Sequence, residues 1–266
     1  MLRKLPILAA LALSLMTAVA MAATTDDAPK TVTAALARLA PDAQPTDIRA
    51  APMPGFYQAL VHGKIVYVSA DGKYVMAGQL FDAQQRSNLT ENEMKAIRLQ
   101  ALATVPASDR VIYAPPHPKY TVTVFTDLDC GYCRVFHQHM AAYNAEGIAV
   151  QYLFWPRSGI KAVPSGRDTP SYAKAVSVWC AKDRKQAFNE AKAGESIPSA
   201  TCPNPIAREY HLGERIGVDG TPTLIAEDGS VIGGYLNPQQ LLQVLQQVRE
   251  QQSGGAGAAA KGAAQR

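Results

Sequence analysis

The spacing of apolar and polar positions changes period several times along this chain, and each change marks an element. TTDDAPKTVTAALARL places Val32, Leu36 and Leu39 at helical spacing, after which periodicity is lost among prolines. FYQALV, KIVYVS and KYVMAGQLFD follow, rich in Val, Tyr and Phe and separated by His62-Gly63 and Asp71-Gly72, which predicts a small three-stranded antiparallel meander. Three such strands enclose too little core to stand alone, so their apolar face needs a helix, another domain or a second chain to cover it. LTENEMKAIRLQALA returns to helical period, with Met94, Ile97 and Ala101 on one face and Thr90 and Glu93 at capping-box spacing. We read this helix as a connector.

The Pro-rich segment VPASDRVIYAPPHPK lacks helical period and predicts a domain boundary between Pro106 and Pro118. From Tyr120 the pattern is β-α-β: YTVTVFTD, a helix beginning around Cys130, then IAVQYLFW. Thr169-Pro170 and Asn204-Pro205 resemble helix starts with Pro at the first helical position, so a helical insertion is expected between Pro156 and Gly217. TLIAEDGSVIGGY predicts a hairpin turning at Asp228-Gly229, and Asn237-Pro238 opens a last helix with Leu241, Leu245 and Val248 on one face. SGGAGAAAKGAAQR reads as a low-complexity disordered tail over 253–266, and no internal repeat is present.

The first residues are Met1, Leu2, Arg3 and Lys4 before an apolar stretch ending in an A-x-A pattern at Ala20 to Ala22, the form of a cleaved secretory signal over 1–22. The stretch is short for a spanning helix, which needs about 20 residues, and it holds Pro6. Signal removal lowers the net charge from +4 to +2, a balance that argues against a nucleic-acid partner. At 266 residues and 47% hydrophobic content the chain can bury two cores. The expected organisation is α+β: an N-terminal sheet domain over 28–85, a linker helix and connector over 86–116, and an α/β domain over 117–252.

Four cysteines in an exported chain can persist as disulfides, and spacing favours Cys130 with Cys133 and Cys180 with Cys202 over the other two connectivities. Cys130-Gly131-Tyr132-Cys133 follows a strand and opens a helix. Thiols at i and i+3 on a first helical turn can close a disulfide, while unpaired N–H groups and the positive helix end stabilise the first thiolate. Cys130 is therefore the expected nucleophile and Cys133 the resolving thiol. Downstream, Gly220-Thr221-Pro222-Thr223 sets a proline at the start of a strand. In a thioredoxin-like fold that position carries a cis peptide bond beside the reactive sulfur and holds an extended substrate segment.

Other readings of the pair are weaker. A four-thiolate zinc site would need a second CxxC, and a c-type haem needs His where Arg134 stands, so no metal or other cofactor is expected. A purely structural bond is disfavoured by the helix-start position. Cys180 and Cys202 lack that context and read as a structural disulfide, with a second redox pair relaying electrons to Cys130 as the alternative. His137 and His139 point to different faces, which leaves His137 only a tuning role. Asp127 and Asp129 read as solvated acids without catalytic roles.

FTDLDCGYC, the downstream GTPT, the extra cysteine pair and GFYQALVHGKIVYVSADGKYVMAGQLFD ahead of a linker helix resemble the DsbC/DsbG family of periplasmic disulfide isomerases over nearly the whole mature chain. Gly131 favours the DsbC type, since DsbG-type members usually have Pro there. The resemblance implies a cystatin-like N-terminal dimerisation domain, a thioredoxin-like catalytic domain and a V-shaped homodimer whose uncharged cleft holds misfolded, disulfide-containing exported proteins. It also implies a DsbD-type membrane reductase as electron donor. By position, Cys130 and Cys133 take the catalytic roles, Gly131, Tyr132, Thr221 and Pro222 line the substrate site, and Cys180 and Cys202 form the structural disulfide. Arg134 and the Gly/Ala tail depart from the familiar pattern. Net dithiol oxidation or reduction, or chaperone action without thiol chemistry, are the competing functions.

Overall fold

The computed structural model describes residues 28–263, with side chains to residue 253; the expected signal peptide lies outside the described residues. Helix α1 (Ala28–Leu39) buries Val32, Ala35 and Leu36, while Leu39, expected on the same face, is exposed. It packs on an antiparallel sheet of order β1 (Thr46–Ala50), β2 (Phe56–Val61), β3 (Lys64–Ser69), β4 (Val75–Ala77). The sheet thus has four strands where three were expected. Strand β1 is an exposed edge on which only Ile48 is half-buried, so it carries no alternation to read.

The last expected strand ends early at Ala77, and a second small hairpin pairs β5 (Phe81–Asp82) with β6 (Ser87–Asn88). Thr90 explains the break: its hydroxyl accepts the Leu80 N–H at 2.8 Å and bonds the Tyr67 hydroxyl at 2.6 Å. Thr90 is therefore a buried tether and not a cap. Helix α2 (Leu89–Ala103) is capped by Asn88, whose side chain accepts the Glu91 N–H at 3.0 Å, and Glu93 pairs with Arg49 instead of closing a capping box. Helix α2 sets Met94 against Leu60, Ile65 and Tyr67, whereas α1 covers Ala59 and Val68 on the opposite face. The small sheet therefore gains the cover it needs from two helices of its own chain.

Helix α2 is also fastened to the second domain. Lys95 pairs with Asp228 at 2.8 Å, and buried Arg98 donates to the carbonyls of Gly229 at 3.1 Å and Ile216 at 3.4 Å. At the His62-Gly63 turn the two domains touch so closely that a Cβ on Gly63 would lie 2.3 Å from the Gly217 nitrogen.

The second domain has a five-stranded sheet of order β11 (Val231–Gly233), β10 (Thr223–Ile225), β8 (Tyr120–Thr126), β9 (Ile148–Phe154), β7 (Val111–Tyr113). Strand β8 (Tyr120–Thr126) runs parallel to β9 (Ile148–Phe154), and helices α3 (Gly131–Gln138) and α4 (Met140–Ala145) cross between them. Strand β7 (Val111–Tyr113) pairs antiparallel with β9 from inside the segment expected to be a connector, so the sheet begins before residue 117. Its three residues lie between proline clusters, too few to show a period. The insertion comprises α5 (Pro170–Trp179), α6 (Arg184–Ala193) and α7 (Ile206–Arg215). The hairpin of β10 (Thr223–Ile225) and β11 (Val231–Gly233) then leads to α8 (Pro238–Ala263). Helix α8 continues through residues expected to be a disordered tail, in keeping with the high helix propensity of its alanines and the absence of proline.

Glu209, on α7, is 1% exposed; its Oε2 accepts the Phe154 N–H at 2.6 Å and its Oε1 has no partner. Burial, reinforced by Asp109, pushes its carboxyl up to about 8 against the pull of the Phe154 N–H and of Arg208 and Arg110. A raised carboxyl pKa gives stability that is complete below the ordinary carboxylate range and is lost as pH rises through about 8. Glu209→Gln is therefore expected to raise stability at pH 9 by roughly 3 kcal/mol and leave it nearly unchanged at pH 4.5, measured by urea unfolding at both pH values.

Candidate functional site

The sequence places Cys130 where β8 gives way to α3, and the fold makes it the N-cap: its Sγ accepts the Cys133 N–H at 3.4 Å. Cys133 sits one turn inside the helix, 1% exposed. Opposite them, the Thr221-Pro222 peptide bond is cis and the Cys130 thiol donates to the Thr221 carbonyl at 3.2 Å. Two motifs ninety-one residues apart thus meet at one sulfur. Tyr132 is 69% exposed and stands 6.5 Å, centroid to centroid, from Tyr235, which also neighbours His139. The rim of the site is aromatic and open.

The two thiols are driven apart electrostatically. Burial pushes the Cys130 thiol up, but its interactions with Cys133 and Thr221 and the Arg157 charge together outweigh it, so the net shift is downward. Burial also raises the Cys133 thiol, and here the opposing pull of Lys192, Thr126 and the Asp127 backbone does not prevail. Both cysteines are buried, Cys130 2% and Cys133 1% exposed, so the pair is asymmetric in ionisation and not in exposure: the first thiol is shifted toward the thiolate and the second away from it, as thiol-disulfide exchange requires.

The surroundings hold residues that sequence reasoning missed or misjudged. Asp127 is 3% exposed, not solvated: its carboxylate accepts from the Asp129 N–H at 2.6 Å, the Arg157 N–H at 2.7 Å and the Ser171 hydroxyl at 2.7 Å. It fixes the loop that delivers Cys130. Asp129 is exposed and pairs with Arg134 at 3.0 Å and Lys174 at 2.7 Å. Arg134 also donates to the Leu128 carbonyl at 3.0 Å, so the departure after Cys133 is absorbed into this ion cluster. His137 bonds Asn189 at 3.0 Å, and burial pushes it down to about 4, leaving it uncharged. Lys192, on α6, is 2% exposed, and its Nζ donates to the Thr126 hydroxyl at 2.6 Å and the Asp127 carbonyl at 3.0 Å, on the segment that leads to Cys130. Its signal in the sequence was a lysine on the stripe that buries Ala187, Phe188 and Ala191.

Cys180 and Cys202 are joined, Cα to Cα 5.7 Å, across a separation of 22 residues. Cys180 is the C-cap of α5 and Cys202 lies in the loop before α7, so the bond ties two helices of the insertion away from the thiol pair.

Comparison with known proteins agrees with this architecture. Residues 108–249 match a thioredoxin-like domain, and residues 20–91 match the disulfide bond isomerase protein N-terminal domain. The chain is 37% identical to thiol:disulfide interchange protein DsbC of Salmonella typhimurium (strain LT2), over 79% of this chain and 85% of that one. It is 36% identical to DsbC of Escherichia coli (strain K12), over 79% and 84%. Among solved structures, a disulfide interchange protein from Neisseria gonorrhoeae is 26% identical with a TM-score of 0.45, covering 53% of this chain and 96% of that one. The family likeness supports dimerisation, substrate binding and a periplasmic location in general terms. The thiol pair on a thioredoxin-like domain, behind an isomerase-type N-terminal domain, is that of a redox-active thiol-disulfide isomerase, and the chain belongs to the DsbC family of thiol:disulfide interchange proteins.

Proposed function

We propose that the Cys130 thiolate attacks non-native disulfides in exported proteins, and that the resulting mixed disulfide is resolved either by another substrate thiol, which rearranges the bond, or by Cys133. The observation that carries this reading is the asymmetry of the pair: the Cys130 thiol is shifted down and Cys133 up, with the Thr221 carbonyl 3.2 Å from the attacking sulfur. In this reading Gly131 and Tyr132 on one side and Thr221 and Pro222 on the other border an extended substrate segment. The open aromatic rim suits unfolded chains of varied sequence. Cleavage of a signal over 1–22 delivers the protein to the periplasm, where a DsbD-type membrane reductase keeps the pair reduced.

Dimerisation through the N-terminal domain is part of the same proposal. With both faces of the small sheet covered by α1 and α2, the need for a partner moves to its edge. Strand β4 is unpaired on one side and carries Met76, with Tyr74 and Phe81 close by in sequence, all three exposed.

Mixing the reduced Cys133→Ala variant with a scrambled multi-disulfide protein tests the attack step. A mixed disulfide through Cys130 is expected to accumulate and appear as a mass adduct. Failure of any adduct to form, with the wild-type chain equally unreactive, would remove Cys130 from the attacking role. Sedimentation of the mature chain at micromolar concentration is expected to give a dimer; a monomer would sink the assembly and weaken isomerisation against simple oxidation.

A further inference from the structure

The two flanks of the thiol pair differ in chemistry. Toward α5, Asp129 pairs with Lys174 and Arg134 in an ion cluster. Along α3 and at its C-cap, Tyr132, Val135 and His139 stand at i, i+3 and i+7 and form one stripe, from which Arg134 points away. The stripe is exposed, Tyr132 by 69% and Val135 by 36%, and it carries no Asp, Glu, Lys or Arg. The Tyr235 ring lies 6.5 Å from Tyr132 at an interplanar angle of 23°, and 6.3 Å from His139 at 32°. These separations are at the open end of the range for aromatic pairs, so the rings stand near-parallel without closing on one another. Tyr235 is held from both sides along the chain. Gly233, at φ 109°, turns the chain out of β11, and a Cβ on Gly234 would meet the Pro222 carbonyl oxygen at 3.7 Å. On the other side, the Leu236 carbonyl accepts from the hydroxyl of buried Tyr143. Tyr235 therefore stands beside the loop whose Thr221 carbonyl lies 3.2 Å from Cys130 Sγ, and the aromatic face is continuous with the attacking sulfur.

We propose that Tyr235, with Tyr132 and His139, forms a subsite for an aromatic side chain of the substrate, carried on the same extended segment as the cysteine under attack. The subsite deepens the exchange reading given above and rests on it. A segment bordered by Gly131 and Tyr132 on one side and Thr221 and Pro222 on the other meets rings on one flank and ions on the other. On the first flank a Phe, Tyr or Trp side chain gains both apolar burial and ring–ring contact, whereas a charged side chain gains neither. Aromatic side chains are largely buried in native proteins and come to the surface in non-native ones. The subsite therefore biases attack toward cysteines in misfolded regions. Tyr235 is a specificity-determining residue: it acts on which segment binds and not on the ionisation of Cys130.

The test uses the reduced full-length chain with Cys133→Ala, which stops at the mixed disulfide, and symmetric disulfide dimers of a short Gly/Ser peptide with a central cysteine. One Phe, or Ala as reference, is placed at each of the other positions in turn. The Cys130 thiolate attacks one peptide sulfur, the bond between Cys130 and that peptide forms, the peptide–peptide bond breaks, and the second peptide leaves as a thiolate; quenching and mass measurement time the adduct. The Phe-to-Ala rate ratio is expected to reach about five or more at one or two positions on one side of the cysteine, and to stay near one on the other side. Tyr235→Ala is expected to bring that ratio below about two, and Tyr235→Phe to keep it. A change in Cys130 ionisation acts on both peptides alike and cancels in the ratio, so a merely structural role would not move it. A ratio unchanged in Tyr235→Ala, a ratio near one at every position in the parent, equal enhancement on both sides, or an equal ratio for Leu in place of Phe overturns the proposal. If Tyr235→Ala does not fold, Val135→Glu, which sets a charge on the exposed stripe, decides by the same ratio. Failure of every peptide to form an adduct would overturn the exchange reading itself, an outcome distinct from all of these.

Discussion

Cys130→Ser is expected to lower disulfide exchange by at least about a thousandfold, the scale on which loss of a covalent nucleophile acts. The hydroxyl is nearly isosteric with the thiol, so the helix cap and the contact with the Thr221 carbonyl are expected to remain. What is lost is the ionisable sulfur: nothing at the N-terminus of α3 can ionise a serine near neutral pH, and Cys133, whose thiol is shifted upward by burial, cannot replace it. The measurement is the rate of insulin disulfide reduction by the reduced protein, with the melting temperature as control for folding. Residual activity within a factor of about ten of the parent would show that another thiol carries the attack.

Removing the disulfide of the insertion is expected to affect stability and spare exchange. The bond closes a loop of 22 residues, for which the chain-entropy account gives about 3 kcal/mol. In a protein of this size each kcal/mol moves the melting temperature by roughly 2–4 °C, so the double variant Cys180→Ala/Cys202→Ala is expected to melt about 6–12 °C lower. Its exchange rate well below that temperature is expected to stay within about twofold of the parent, because neither residue touches the thiol pair. Loss of turnover with an unchanged melting temperature would instead assign Cys180 and Cys202 to a second redox pair.

The parts of the molecule that were legible in the sequence are those written in local chemistry. A CxxC between a strand and a helix, a Thr-Pro opening a strand, and proline at the starts of α5 and α8 each encode a conformation within a few residues. Strand β1 was not legible because an edge strand with one half-buried side chain has no alternation, and β7 because three residues are too few to show a period. Thr90 and Glu93 stand at capping spacing, yet tertiary partners, Tyr67 and Leu80 for one and Arg49 for the other, decide their places. The same holds at the site. Asp127 looked solvated because its three donors come from Asp129, Arg157 and Ser171, two of them from distant segments. Lys192 lies sixty-six residues from Thr126 and could be suspected only as a charge on an apolar stripe.

The most direct test of the account is refolding of a scrambled multi-disulfide protein by the reduced mature chain in a mildly oxidising glutathione buffer, with Cys130→Ala as control. Recovery of the native protein's activity that depends on Cys130 is the result predicted. Oxidation or reduction of the substrate that leaves its disulfides scrambled would contradict isomerisation and leave only net dithiol chemistry on a thioredoxin-like fold.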